Sequence, residues 1–193
     1  MAWKFNQIKA YVKNSMSEKR FQHVLGVTQT AGMLAKDHGV DIDDAKLAAL
    51  VHDVVKEQDL EEARQILASR GEAVYLAHST KVWHAPLGAI VASEKFGIEN
   101  IDILNAVKYH TTGRPKMSKL EKVIFVADYT EPNRKFEGTV AIREFWNDLD
   151  LAVYEILKQK VERVRTLGLK MHPDTIAAYE YYRIENDIAD AIK

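Results

Sequence analysis

Leu50-Val51-His52-Asp53-Val54-Val55-Lys56-Glu57 is the stretch that decides how this chain is read. His52 and Asp53 interrupt an apolar run whose spacing otherwise suits a core-facing helix. Burying an imidazole beside an ionised carboxylate is costly unless something pairs with them, and a metal ion is one of the few partners able to offset that cost. Further candidate ligands are present in His23, His84, His110 and Asp128. Each taken alone has a plainer reading. A single His on an apolar helix face is more often a hydrogen-bonded core residue, and Asp128 could simply accept backbone or Tyr hydrogen bonds. The ordered set carries the specificity.

Outward from that stretch the periodicity is helical almost throughout. Phe21, Val24, Leu25, Thr28, Ala31, Leu34 and Ala35 recur at helix spacing, with Ser17 as a start signal and Gly39 as a stop. A second helix is expected after Asp43 or Asp44, carrying Leu47, Leu50, Val51, Val54 and Val55. A third runs from Leu60 to Ala68 and closes at Gly71. Pro86 suits a first helical turn leading to Gly97, and Ile101 to Tyr109 is another helix. Ser118-Lys119-Leu120-Glu121 is a capping-box pattern ahead of Val123, Ile124, Val126 and Ala127. Val140 to Leu167 reads as one long amphipathic stretch ending at Gly168, and Pro173 opens the last helix. The segment Glu131 to Thr139 is the longest irregular, charged loop, the kind of segment that often carries binding residues.

The fold class expected is therefore all-α, a single domain over 1–193 with the helices of 140–193 belonging to it. A chain of 193 residues with 47% apolar and 28% charged composition can bury a real core. No run of apolar residues is long enough to span a bilayer, and the N-terminus lacks the apolar region of a secretory signal, so no membrane partner is expected. The absence of Cys removes disulfides, thiolate sites and Cys nucleophiles, and fits a reducing cytoplasm. A net charge of −1 argues against a broad nucleic-acid-binding face, so an anionic ligand would have to be held by metals and local cations.

Four His and two Asp, each on or beside a different predicted helix apart from the adjacent pair, match how bundle-core metal sites are built. The nitrogen and oxygen donors suit Fe, Mn, Co, Ni or Zn. Six side chains exceed the needs of one catalytic ion. Two ions sharing Asp53 as a bridge would use all of them, a pair able to clamp a phosphoryl group. His38, His78 and His172 lie in contexts that favour ordinary roles.

The series His23 … His52-Asp53 … Asp128 resembles the HD-domain metal-dependent phosphohydrolases, and the inserted His84 and His110 resemble their dinuclear branch. Arg20-Phe-Gln-His23, His52-Asp-Val-Val-Lys56, His84-Ala-Pro-Leu-Gly88, His110-Thr-Thr-Gly113, Met117-Ser-Lys-Leu-Glu121 and Ala127-Asp-Tyr-Thr-Glu-Pro-Asn-Arg134 are together similar to the bacterial YqeK family. The likeness spans about residues 17 to 155 and leaves the first 16 residues and the tail unexplained.

That resemblance implies an HD-type helical bundle around a dinuclear centre of two transition-metal ions, iron in the family. It also implies symmetrical hydrolysis of dinucleoside tetraphosphates, diadenosine tetraphosphate giving two ADP by attack of metal-bound hydroxide on phosphorus. His23, His52, Asp53 and Asp128 would hold one ion; Asp53, His84 and His110 the other. Asp53 and Lys56 are then the catalytic candidates. Arg20, Lys56, Thr111, Thr112, Gly113 and Arg134 are the substrate-binding ones, with Arg114 a weaker cation and Tyr129 and Phe136 candidates for stacking on a base. The expected partner is a small nucleotide, and a homodimer through the 140–167 stretch is a second use for residues better spent on the core. Competing readings are a related hydrolase of another nucleotide or alarmone, a nucleotide-binding regulatory module, and a di-iron oxygenase. The complete ligand set disfavours the module, and Lys56, Thr111, Thr112 and Arg134 disfavour the oxygenase.

Overall fold

Helix starts are set by side chains that take up the free N–H groups of a first turn. In the computed structural model, which describes residues 3–135 and 137–192, the first two helices are α1 (Phe5–Asn14) and α2 (Glu18–His38). The Ser17 hydroxyl accepts from the Arg20 N–H at the start of α2, and Gly39 ends it with φ 67°, a left-handed conformation that costs glycine little. Next come α3 (Ile42–Val51), α4 (Leu60–Ser69), the short α5 (Ala73–Leu76), α6 (His84–Glu94) and α7 (Ile101–Tyr109). They are followed by α8 (Lys119–Thr130), α9 (Glu137–Ile142), α10 (Leu149–Thr166) and α11 (Pro173–Ile192). No strand occurs among the described residues, and Val123 to Val126 is buried helix behind the Ser118–Glu121 capping box. No helix is long and apolar enough to cross a membrane among the described residues.

The bundle centre is α2, α3, α7 and α8, which pack on one another and bury Val24, Val27, Leu50, Val51, Val107 and Phe125. α6 lies against α7, while α10 covers α8 and carries α11 on its outer side. A small satellite core of Ala63, Leu67 and Leu87 joins α4 to α6.

Four details differ from the sequence expectation. Residues 5–14 form a helix, held by Trp3 and Tyr11, whose ring centroids lie 5.3 and 5.4 Å from that of the buried Phe96. α3 starts one turn-signal earlier, because the Asp41 carboxylate accepts from both Asp43 and Asp44 N–H groups at 2.9 Å. α3 also ends at Val51, so His52 and Asp53 sit in a tight turn with three-residue bonds such as Lys56 N–H to Asp53 O (2.9 Å), not inside a helix. The 140–167 stretch is broken: Arg143–Phe145 is a single 3₁₀ turn, and Asp148 caps a fresh start of α10. Arg143 explains the break. Its guanidinium donates to the carbonyls of Thr130 (3.0 Å), Glu131 (3.0 Å) and Arg134 (2.9 Å), tying the chain back to the loop after α8.

Candidate metal centre

The six residues singled out by sequence converge from five elements. α2 supplies His23, the turn after α3 supplies His52 and Asp53, His84 is the first residue of α6, His110 caps α7, and Asp128 is near the end of α8. Asp53 lies at the middle with its two oxygens facing opposite ways. Its Oδ1 is 3.1 Å from His84 Nε2 and 3.8 Å from His110 Nε2. Its Oδ2 is 3.6 Å from His52 Nε2 and 3.8 Å from His23 Nε2. Asp128 Oδ1 closes the second group, 3.1 Å from His23 Nε2 and 3.7 Å from His52 Nε2.

The ring tautomers follow from what the other nitrogens touch. His52 Nδ1 lies 2.6 Å from the Ala49 carbonyl and His110 Nδ1 2.7 Å from the Val107 carbonyl. A carbonyl only accepts, so Nδ1 carries the proton and Nε2 turns a lone pair inward. His23 does the same through Glu131, whose Oε1 is 3.1 Å from His23 Nδ1. The Nε2 atoms of His23 and His52 are buried without a hydrogen-bond partner among the described residues. Unpaired buried acceptors are costly, and here they point at carboxylate oxygens. Two sets of donor atoms, from His23, His52 and Asp53 and from Asp53, His84 and His110, each lie within 4.8 Å of one another. Ligands at about 2.1 Å from a common ion stand roughly 3.0–3.4 Å apart, so this donor set fits two ions sharing one carboxylate.

The electrostatics differ from ligand to ligand: burial lowers the pKa of His23, but Asp128, Asp53 and Glu131 more than reverse this and raise it. Burial pushes the Asp53 carboxyl up, but His52, His84 and His110 more than reverse it and hold it well below the usual carboxylate range. Asp128 is likewise raised by burial and pulled well below its usual range by Arg134 and His23. Burial lowers the pKa of His84 and drives that of His110 far down, which keeps both rings neutral and able to ligate.

The remaining predicted residues divide. Arg20 Nη1 donates to Asp53 Oδ2 at 3.0 Å, and Arg134 Nη2 to Asp128 Oδ1 at 2.8 Å. Lys56 Nζ lies 3.0 and 3.2 Å from the two nitrogens of His84, and burial lowers its pKa. It reaches the centre through the turn after α3. Thr111 lines a cleft beside the centre. Thr112 is fully buried, and Gly113, at φ 67°, faces Ala178, Phe125 and Leu157, so these two are directed to the core rather than to a ligand. Arg114 is committed to Glu121 in a two-pronged pair at 2.7 and 2.5 Å. Tyr129 lines the cleft and donates to Gln159 at 2.7 Å; Phe136 lies outside the described residues. His78 and His172 meet at the far end of that cleft, 4.7 Å between ring centroids.

Three residues were missed. Glu131 belongs to the Ala127–Arg134 word and could have been found as a carboxylate three residues after Asp128. Arg143 and Lys160 gave no signal, since each reads as a charge on an amphipathic helix. Lys160 on α10 donates from Nζ to the Thr111 carbonyl at 2.8 Å and lies 4.3 Å from the Phe125 ring, and burial brings its pKa down to about 8.

Comparison with known proteins places the geometry in context. The HD domain model matches residues 20–133. The symmetrical bis(5'-nucleosyl)-tetraphosphatase of Bacillus subtilis is 40% identical over 174 residues, 89% of this chain and 94% of the relative. The protein of the same description from Staphylococcus aureus is 35% identical, over 93% of this chain and 94% of its own. A crystal structure of an HD superfamily hydrolase from Clostridium acetobutylicum, described as involved in NAD metabolism, superposes with a TM-score of 0.91 at 35% identity. It covers 96% of this chain and all of that one.

Proposed function

The chain belongs to the HD-domain family, and from that premise we propose that it is a metal-dependent hydrolase cutting dinucleoside tetraphosphates symmetrically, with diadenosine tetraphosphate and water giving two ADP. The substrate comes from the relatives of that description. The observation that carries the reaction is Asp53, whose two oxygens address separate pairs of histidines. We assign His23, His52, Asp53 and Asp128 to one ion and Asp53, His84 and His110 to the other. Iron rests on the resemblance, and the same donors accept Mn, Co, Ni or Zn, while a cytoplasmic location rests on a sequence without Cys. The whole chain is read as one domain, supported by the packing of α1 on α3 and of α10 on α8.

When bound, the ions lower the pKa of water and neutralise charge developing on phosphorus. The protein's own task is positioning and electrostatics, since phosphoryl transfer asks for little covalent help from side chains. Asp53 stays anionic because three histidines surround it. Arg20 and Arg134 hold Asp53 and Asp128 from the outside, and their remaining N–H groups are available to phosphate oxygens in the two-pronged manner guanidinium favours. The Lys56 ammonium beside His84 is placed to donate to a phosphoryl oxygen. Glu131 fixes the His23 ring from behind. Water adds to one central phosphorus, the bridging P–O bond breaks, and the electron pair leaves on the second ADP.

The test is metal analysis and product analysis on one preparation made without a chelating tag. About two equivalents of transition metal with ADP as sole product supports the proposal. Metal with AMP and ATP, or with no cleavage, overturns the symmetrical reaction while leaving the centre. Asp53→Ala should lose both metal and turnover; a folded variant that keeps wild-type metal and activity removes the bridging assignment.

A further inference from the structure

The metal centre opens on one side into a cleft of about 660 Å³, within the range of small-molecule sites. Asp128, Arg134 and Thr111 form its inner end. Its outer wall is α10 and the connection to α11. Lys160, Arg163, Val164 and Leu167 all face it, a spacing of three, four and seven residues that makes one helical stripe. The charge is one-sided. Five Lys and Arg side chains line the cleft against the single carboxylate of Asp128, in a chain whose net charge is −1. Among the described residues neither Lys160 nor Arg163 is in an ion pair. Lys160 is nonetheless fixed in place, by the Thr111 carbonyl and the face of Phe125. Farther out the cleft turns apolar, with Leu169 and Met171. Leu167 and Leu169 are about half exposed there, at 52% and 46%. The HD domain match ends at residue 133, so this wall lies outside the segment common to that family.

We propose that α10 and the α10–α11 connection seat one nucleoside diphosphate arm of the substrate. Lys160 and Arg163 hold its phosphates, and Leu169 and Met171 pack against its nucleoside. The inference rests on the reading of the centre as a dinucleoside polyphosphate hydrolase and adds the residues that select the substrate. The order of groups fixes the direction of the arm. Lys160 is bonded to the residue that follows His110, so the phosphate end adjoins the metals and the nucleoside lies toward the connection after α10.

ADP tests this, because it is the product and is not turned over. Metal-loaded protein is titrated by calorimetry with ADP and separately with inorganic pyrophosphate. Lys160→Met should weaken ADP by about ten- to a hundredfold, the range for losing a charge-assisted bond, with metal content unchanged. Lys160→Arg should restore most of the affinity. Leu169→Asp, on an exposed connection where folding is not at stake, should weaken ADP more than pyrophosphate. Wild-type ADP affinity in both Lys160→Met and Leu169→Asp overturns the proposal. Loss in Lys160→Met alone places the nucleoside elsewhere and overturns the seat. A protein that binds ADP through these residues yet releases no ADP from diadenosine tetraphosphate keeps the seat and loses the proposed reaction. Symmetrical cleavage with ADP affinity indifferent to both changes does the reverse.

Discussion

Glu131 offers the sharpest perturbation, because its effect reaches the centre only through His23. Its side chain is almost fully buried at the end of α8, and both oxygens are used: Oε1 meets His23 Nδ1 at 3.1 Å and Oε2 accepts the Asn133 N–H at 2.8 Å. Removing it as Glu131→Ala frees the His23 ring to rotate and to place its proton on either nitrogen. Outer partners of ligating histidines are typically worth 10–100-fold in metal affinity. That is about 1.4–2.8 kcal/mol. Glu131→Gln should fall between wild type and alanine. Its amide can accept from one of the two donors, but its NH₂ then faces the other donor. Gly26→Ala gives an independent route to the same result. A Cβ on Gly26 would collide with Glu131 Oε2, so the carboxylate must leave its place without itself being altered. The assay is competitive titration with a chelator on the loaded protein, with metal content measured after dialysis. Weakened retention in all three variants is expected. Glu131→Ala with wild-type chelator resistance and full metal content refutes the argument that His23 needs this support.

Lys56→Ala should lower kcat by tenfold or more, the scale of a charged hydrogen bond, while sparing metal content. Unchanged kinetics remove Lys56 from the mechanism. ADP affinity of the wild type should fall as pH rises through about 8. Burial has lowered Lys160, Asp128 only partly offsets this, and Arg134 and Lys56 add to it. The ammonium is therefore present below that pH and lost above it. Lys160→Arg, which does not titrate there, should flatten the profile, and an equally steep profile in that variant would falsify the assignment of the titration to Lys160. Phe96→Ala should cost about 3–5 kcal/mol of stability in denaturant unfolding, because the ring is fully buried between Trp3 and Tyr11. A loss near that of a surface substitution would mean that α1 is not docked as described.

The candidate cluster was legible because polar side chains in an apolar run demand an explanation, as at His52-Asp53, and because His23, His84, His110 and Asp128 complete an ordered set of donors around that pair. Caps were legible where one side chain serves one turn, as at Ser17 and Ser118. The end of α3 was not. Val54 and Val55 continue the apolar spacing past Val51, and periodicity cannot tell a buried turn from another turn of helix. The break at Arg143 was hidden for a related reason. Three carbonyls of a loop some ten residues earlier hold its guanidinium, and that competition with helix formation exists only once α8 and α10 are packed.

Glu131 and Lys160 show the same limit at the site. Glu131 meets a histidine 108 positions away, and Lys160 a carbonyl 49 positions away. Neither contact leaves a local pattern, because a carboxylate before Pro132 and a lysine on an amphipathic helix are ordinary residues in their neighbourhoods. The two differ in consequence. Glu131 closes the matched segment 20–133 and acts on a ligand within it, so its loss should be felt as metal. Lys160 lies beyond that segment on a helix that covers α8 and turns the stripe of Lys160, Arg163, Val164 and Leu167 to the cleft, so its loss should be felt as nucleotide. If that division holds, the chain separates the holding of metals from the choice of substrate along its length. Substitutions on the α10 stripe would then alter which phosphate ester is cleaved without disturbing the histidines that make cleavage possible.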